Sequence, residues 1–529
     1  MKRTLALVLA LLMLCMSTMA LAAETEDRYG RYDETVTISI LSKDWKTGTT
    51  AYDSSDPTRK SASENAWIMA YKEYLNLDVK RIIAEDDTAM QAQVSTALAS
   101  GDLPDVMIVD KATFYNLVEN EVLADLLPAY EAYEQKYYLE QAAAPALESG
   151  MVDGQLLGMP IIGNSYNNGQ LLWVRQDWLK KVNKEVPKTI DEMMDVAQAF
   201  IDAKLGGEET IGIAMNFGNY YGPDFIAAAY GSIWKTWTPD EEGVYRFGKV
   251  TEGNKQALLK MQEIYKAGLI RPDFASSDLA AEDVAVGRAG MYMATSWHSV
   301  TDLKTSMLND ETADWMCFPA PTLDGEPVKQ WSNGPVPGMF IVVSSECEHP
   351  EAFMKMLELE LKVFIEPSAE ELPKLYADPD DDFIYWDLRT FRNMNLANFD
   401  LYRSQLVNEH LALGTAVEDV PACITDYYGQ VTRAIAGERA LEGRRICQVY
   451  AFPLCAKQLE AGQYVFSYDG PLTENMSLYE ATLESELNNA MIKVIMGEDI
   501  SVYEKAVEDW YANGGQDITD EVTEYYTSK

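Results

Sequence analysis

From Val36 to Asp110 the chain alternates between short β-branched runs and helical stretches, and this alternation limits its fold more than any other feature. Val36 to Leu41 (VTISIL) alternates in polarity and reads as a first strand. Ser42 to Lys60 carries Gly48, Pro57 and many hydroxyl and Asp residues, which makes it a loop. A helix fits residues 62–75 and is followed by strand-like LDVKRII. The next helix is expected to be capped by Thr88, to place Val94 and Leu98 on one face, and to stop at Gly101 and Pro104. DVMIVD (105–110) is a nearly continuous apolar run, as a strand covered by helices on both faces requires. Strand, helix, strand, helix, strand in that order predicts an α/β lobe with parallel pairing.

The pattern resumes further on. LLWVR (171–175), TIGIAM (210–215), AGMYMAT (289–295) and MFIVVSS (339–345) read as strands. Thr189 and Glu192 form a capping box ahead of a helix whose apolar stripe is Met193, Ala197, Phe200 and Ile201. Residues 253–267 place Leu258, Met261 and Tyr265 on one helical face, with Gly268 as the stop. Beyond residue 350 the chain reads as mostly helical. The 529 residues exceed what one hydrophobic core usually holds, so two or more lobes are expected.

The N-terminus sets the compartment. Lys2 and Arg3 precede an apolar run from Leu5 to Leu14, and Ala20-Leu21-Ala22 offers small residues where a signal peptidase reads. Residues 1–22 are therefore expected to be a secretory signal, and the mature chain to lie outside the cell or in its envelope. Cys15 sits inside the apolar run behind Leu14 instead of a small residue, which argues against a lipid anchor. Cys317, Cys347, Cys423, Cys447 and Cys455 are too sparse for a disulfide scaffold. Cys447 and Cys455 either bridge or stay free, since spacing alone does not fix connectivity. Three His residues, without close Cys or His pairs, argue against a zinc site. The formal charge of −41 falls by two when Lys2 and Arg3 leave, and such acidity disfavours nucleic acid and anionic membrane surfaces.

Several segments together resemble one family, the large extracellular solute-binding proteins of sugar ABC importers. They are ALASGDLPDVMIVD (97–110), WVRQDWLKKVNKEVPKTIDEMMDVAQAF (173–200), LLKMQEIYKAGLIRPDF (258–274), AVGRAGMYMATSW (285–297), PEAFMKMLEL (350–359) and the closing 491–526 segment. The resemblance implies an α/β, two-lobed periplasmic-binding-protein-like fold with hinge strands and a helical C-terminal extension. Lobe one would take 36–161 and 296–344, lobe two 162–295 and 345–529, with crossings near Gly163, Thr295 and Ser345. It further implies a carbohydrate bound in the cleft between lobes and handed to the membrane permease subunits of an ABC transporter. The chain is expected to work as a monomer, without enzymatic activity, cofactor, metal or nucleic acid. Many relatives carry a calcium loop after the helix that ends here at Phe200. IDAKLGGEETIG (201–212) lacks its ligand series, and Asp378 and Asp380–Asp382 mimic an EF-hand start without the required Gly and Glu.

A sugar site needs aromatic rings against the C–H faces of a pyranose and polar groups for its hydroxyls, because a desolvated hydroxyl left unpaired is costly. In open α/β sheets such groups gather at the carboxyl ends of strands. Lys43, Asp44 and Trp45 follow the first strand, Asp110 ends DVMIVD, and Asn164 and Tyr166 stand at the first crossing. Trp297 and His298 follow AGMYMAT, while Tyr221 and Trp234 belong to an aromatic stretch with Tyr220 and Trp237. Trp331 and Asn333, in QWSNGP, are expected on a loop of lobe one that reaches the cleft. Each has a structural alternative: Trp45 and Trp297 can pack on their own lobe, and Asp110 can cap a helix. Arg175 is either a cleft donor or the partner of Asp177, and His298 fits a structural hydrogen-bonding role. A secreted glycoside hydrolase is the main rival reading. Adjacent acids such as Asp86-Asp87 do not supply the opposed carboxylates it needs, and no Gly-x-Ser-x-Gly is present. A binding protein that reports to a sensor would share the same fold.

Overall fold

The computed structural model describes residues 29–43, 52–132, 136–163, 166, 169–217, 222–275, 279–332, 334, 337–368, 370–376, 385–392 and 394–528. The expected signal segment 1–22 and the acidic turn at Asp378–Asp382 lie outside the described residues. The chain divides into two compact units, one built from residues up to Gly163 together with Pro337–Leu396, the other from Asn164–Val336 and Ala397–Lys529.

The strands that matter below are β1 (Val36–Lys43), β2 (Leu77–Ala84), β3 (Val106–Asp110), β4 (Met159–Ile161), β5 (Leu171–Arg175) and β6 (Ile211–Ala214). They continue with β7 (Ala289–Ala294), β8 (Trp315–Pro319), β9 (Gln330–Ser332), β10 (Met339–Val343) and β11 (Tyr464–Phe466). The helices are α1 (Ala66–Leu75), α2 (Asp87–Ser100), α3 (Lys111–Glu119), α4 (Ile190–Asp202), α5 (Asp224–Ala229) and α6 (Glu252–Lys266). Later in the chain come α7 (Ala352–Ile365), α8 (Phe399–Leu413), α9 (Thr425–Ile435), α10 (Glu442–Ile446), α11 (Glu474–Ile495) and α12 (Ser501–Trp510).

In the first unit the sheet order is β2-β1-β3-β10-β4. β1 runs parallel to β2 and β3, whereas β10 is antiparallel to both β3 and β4, so one antiparallel strand is set inside an otherwise parallel sheet. Because side chains alternate along a strand, Val106 and Ile108 join Ile38, Ile40 and the α7 residues Met356 and Leu357 in one core. Met107 and Val109 point the other way, to Leu41, Met90, Phe114 and Phe340. Burial on both faces is why DVMIVD is apolar throughout. The cap of α2 is Asp86, whose carboxylate accepts from the Ala89 amide at 2.7 Å, not Thr88 as expected. An ionised carboxylate facing a helix N-terminus is the stronger cap, and taking it starts the helix earlier.

In the second unit the order is β6-β7-β5-β8, with β6 parallel to β7 and β5 antiparallel to both β7 and β8. Leu172, Val174, Met291 and Met293 meet α4 through Met193, Ala197 and Phe200, and α6 through Leu258 and Met261. The Thr189–Glu192 capping box forms as the sequence predicted. The α11 and α12 helices pack on this core through Met491, Val494 and Tyr503.

The expected lobe boundaries need correction beyond the first crossing, which does fall at Gly163. Residues 296–336 stay with the second unit because β8 pairs with β5 along its whole length. Residues 345–396 return to the first unit because α7 supplies Phe353, Met356, Leu357 and Leu361 to its core. Cys447 and Cys455, left open as a bridge, are buried thiols that form no disulfide, as are Cys317 and Cys423, and burial pushes Cys455 up to about 12.

Candidate functional site

Within the second unit, Gln170 stands one residue ahead of β5, and α5 opens with Asp224. β9 and β11 pair in parallel, with Trp331 opposite Val465 and Ser332 opposite Phe466. These elements line a small cavity whose walls include Gln170, Asp224, Phe225, Trp234, Gln330 and Trp331. A second cavity of about 280 Å³ shares Phe225, Ala228 and Gln330 with it, and is otherwise walled by Pro319, Pro321, Pro327 and Leu454 among others.

The polar groups here are tied together. Gln170 donates through Nε2 to Asp224 Oδ1, and Lys235 Nζ lies 3.5 Å from Asp224 Oδ2. The same ammonium stands 4.4 Å from the centroid of the Trp331 ring, a cation–π contact that covers one face of the indole. Trp331 Nε1 donates to Ser467 Oγ at 3.0 Å, which fixes the ring in its plane. Tyr166 packs against Phe466 at 5.7 Å between centroids. Gly169 is required by close approach: a Cβ there would fall 2.4 Å from the Tyr464 hydroxyl. That hydroxyl donates to Gln458 Oε1 at 3.0 Å.

One amide oxygen is left over. Gln170 is only 5% exposed, yet its Oε1 has no hydrogen-bond partner among the described residues. Gln330, at 7%, lines the same cavity. A buried carbonyl oxygen without a partner costs about 1–3 kcal/mol, so this group favours a guest that brings a donor. A half-buried indole with one face covered, beside an unmatched amide oxygen, is suited to stack on and hydrogen-bond a polyhydroxylated molecule. Among the described residues no three His, Cys, Asp or Glu side chains gather as a metal site.

The other residues singled out from the sequence are distributed as follows. Asp44, Trp45, Asn164 and Tyr221 lie outside the described residues, as do Tyr220 and Asn333. In the first unit Lys43 Nζ pairs with Asp87 at 2.9 Å. Asp110 caps α3, accepting from the Thr113 amide at 2.7 Å and from Gln91 Nε2 at 2.9 Å. Burial pushes the Asp110 carboxyl up, but these hydrogen bonds outweigh it and hold the group below its ordinary value. In the second unit Arg175 is 1% exposed and held by Asp177 and Asp310, each at 2.7 Å. His298 is fully buried with Nδ1 2.5 Å from Asp302 Oδ2. Trp297 is partly exposed, its ring 3.7 Å from that of His298. Trp234 is a core residue that donates to Asn254 Oδ1 at 2.6 Å and still reaches the small cavity.

Thus the structure brings Trp331, Trp234 and, through Phe466, Tyr166 into one neighbourhood, and builds Arg175 and His298 into the interior. Gln170, Asp224, Lys235 and Gln330 were not foreseen. Gln170 and Gln330 adjoin segments noticed for other reasons, LLWVR and Trp331, and Asp224 and Lys235 interrupt the aromatic stretch from Tyr220 to Trp237.

A family model described as bacterial extracellular solute-binding protein matches residues 66–357, more than half of the chain. The chain belongs to this family. Lipoprotein LipO of Bacillus subtilis (strain 168) is 27% identical over 260 residues, 45% of this chain and 47% of that protein. The polygalacturonan/rhamnogalacturonan-binding protein YtcQ of the same organism is 25% identical over 213 residues, 39% of this chain and 42% of that protein. The chain thus spans about half the length of the curated relatives it matches. Among solved structures, the alginate-binding protein AlgQ2 without calcium ion superposes with a TM-score of 0.61 at 15% identity, over 94% of this chain and 99% of that one. This likeness shows the two-lobed periplasmic-binding-protein-like α/β fold that the sequence predicted. No helix among the described residues is long and apolar enough to cross a membrane.

Proposed function

We propose that this chain binds a sugar or oligosaccharide outside the cytoplasm and delivers it to the membrane permease of an ABC importer. The observation that carries the reading is the pairing of a fixed, half-buried Trp331 with the unmatched amide oxygen of Gln170. Membership of a solute-binding family and the polysaccharide named for YtcQ support it. In this reading Trp331 and Tyr166 offer faces to pyranose C–H patches, while Gln170, Gln330 and Asp224 serve hydroxyls. Trp297 is a further stacking residue. The protein holds its ligand without turning it over, acts as a monomer, and is released after cleavage behind Ala22, without a lipid on Cys15.

Titration calorimetry of the mature protein against a panel of neutral and acidic oligosaccharides tests this. At least one should bind, and Trp331→Ala and Gln170→Leu should each weaken it tenfold or more with the melting temperature retained. If none of the panel binds, the reading fails. Appearance of shorter sugars during the incubation would replace it with a hydrolase.

A further inference from the structure

A second cluster in the same unit concerns the charge of the ligand. Tyr427 on α9 has two guanidiniums over its ring, that of Arg403 from α8 at 3.6 Å and that of Arg444 from α10 at 4.2 Å, measured to the ring centroid. Arg403 is engaged: its Nη2 donates to Asp426 Oδ1 at 2.8 Å. Arg444 gives its Nε to Gln430 Oε1 at 3.1 Å, and its two terminal nitrogens make no hydrogen bond to any described residue. Asp400 and Asp426 are the acidic groups whose field reaches the Tyr427 ring, and Asp426 also acts on Arg444 while bonded to Arg403.

The contrast with neighbouring arginines is sharp. Arg175 holds two carboxylates and Arg445 is forked onto Glu442, whereas Arg444 has no carboxylate within ion-pair distance among the described residues. Tyr427 and Gln430 fix the plane of Arg444 and occupy its near edge, leaving the pair of terminal nitrogens as a ready fork. That geometry matches a planar carboxylate with two parallel hydrogen bonds, whereas a neutral hydroxyl would cover the cation without compensating its charge. α10 is also pressed against the segment that carries Trp297. A Cβ at Gly443 would fall 1.9 Å from the Ser299 carbonyl, and the Cys447 thiol donates to the Ser296 carbonyl at 3.7 Å. The segment that carries the partly exposed Trp297 and the helix that carries Arg444 are therefore packed together.

We infer that Arg444 receives a carboxylate of the ligand, so that the saccharide is built from uronic-acid residues; this rests on the saccharide-binding reading above. Long-range repulsion from the acidic surface does not forbid it, because fields decay over about 8 Å at physiological salt while the fork acts in contact.

The test is calorimetry with oligogalacturonates and with neutral oligosaccharides of equal length, on the wild type, Arg444→Gln and Arg444→Lys, with melting temperature as the check on folding. The expected result is tighter wild-type binding of the acidic series, a tenfold or greater loss in Arg444→Gln, and partial recovery in Arg444→Lys. Neutral oligomers binding as well as or better than acidic ones, or Arg444→Gln binding oligogalacturonate like the wild type, would overturn the inference and leave the saccharide reading standing. If neither series binds, both fall together.

Discussion

Replacing Glu358 by Gln should change how the first unit responds to alkali. Glu358 lies on α7 and is fully buried; its Oε1 accepts from the Leu139 amide at 3.1 Å, and its Oε2 has no hydrogen-bond partner among the described residues. Burial pushes its carboxyl up to about 8, against the opposing pull of the Leu139 hydrogen bond and the Lys362 charge. In the unfolded chain the same group titrates near 4.5. The native state therefore holds a proton that the unfolded state has released between these two values. Stability from this group is whole below about 4.5, drains as pH rises, and is gone above about 8. The slope is about 1.4 kcal/mol per pH unit, on the order of 4–5 kcal/mol across the window. For a unit of this size each kcal/mol moves the melting temperature by roughly 2–4 °C. Gln keeps an acceptor for Leu139 and cannot ionise. Scanning calorimetry of both proteins from pH 5 to 8.5 should show the variant gaining on the wild type by about 8–15 °C in the transition of the first unit. A constant difference across that range would refute the argument, since every other titrating group cancels between the two proteins.

Three further outcomes follow from residues that the fold has committed. Arg175→Ala should destabilise the second unit by about 3–5 kcal/mol in denaturant unfolding, because Asp177 and Asp310 lose their shared partner and Trp178 and Trp315 lose the guanidinium beside them. Burial lowers His298 although Asp302 pulls the other way, so the fold disfavours the protonated imidazole relative to the unfolded chain. Its contribution is present above the unfolded value of about 6.5 and lost as pH falls below it. The melting temperature of the second unit should therefore drop between pH 6.5 and 5, and His298→Gln should flatten that drop. Thr189→Ala removes the side-chain acceptor for the Glu192 amide at 3.1 Å and should cost about 1 kcal/mol, read as a lower denaturant midpoint with unchanged slope.

How much of this was legible depends on whether a residue's role is local or tertiary. Strands with sustained patterns, VTISIL, DVMIVD, LLWVR and AGMYMAT, were readable because both faces or one face of each must be apolar wherever the strand sits. The Thr189–Glu192 box was readable for the same reason, since its bonds close within four residues. The missed strands include β4, β8, β9 and β11, each of three to five residues, two of them containing Pro and none long enough to display a period. Their existence depends on partners far along the chain, as β9 depends on β11. Reading MYMAT as the last strand before a crossing misplaced residues 296–336, because only the pairing of β8 with β5 reveals that the chain stays in the second unit. The site divides in the same way. Trp331 and Tyr166, the proposed stacking residues, were singled out because aromatic residues beside turns are conspicuous by type. Gln170 was not, because an amide becomes informative only when folding removes its water and supplies no substitute. Arg444 is the same case with a charge. Its local sequence, GRRI, looks like Arg445's, yet one guanidinium finds Glu442 three residues back while the other turns to Tyr427 and is left with an open fork. Residue type marks where chemistry is possible, and the mismatch between burial and partners marks where it is unfinished.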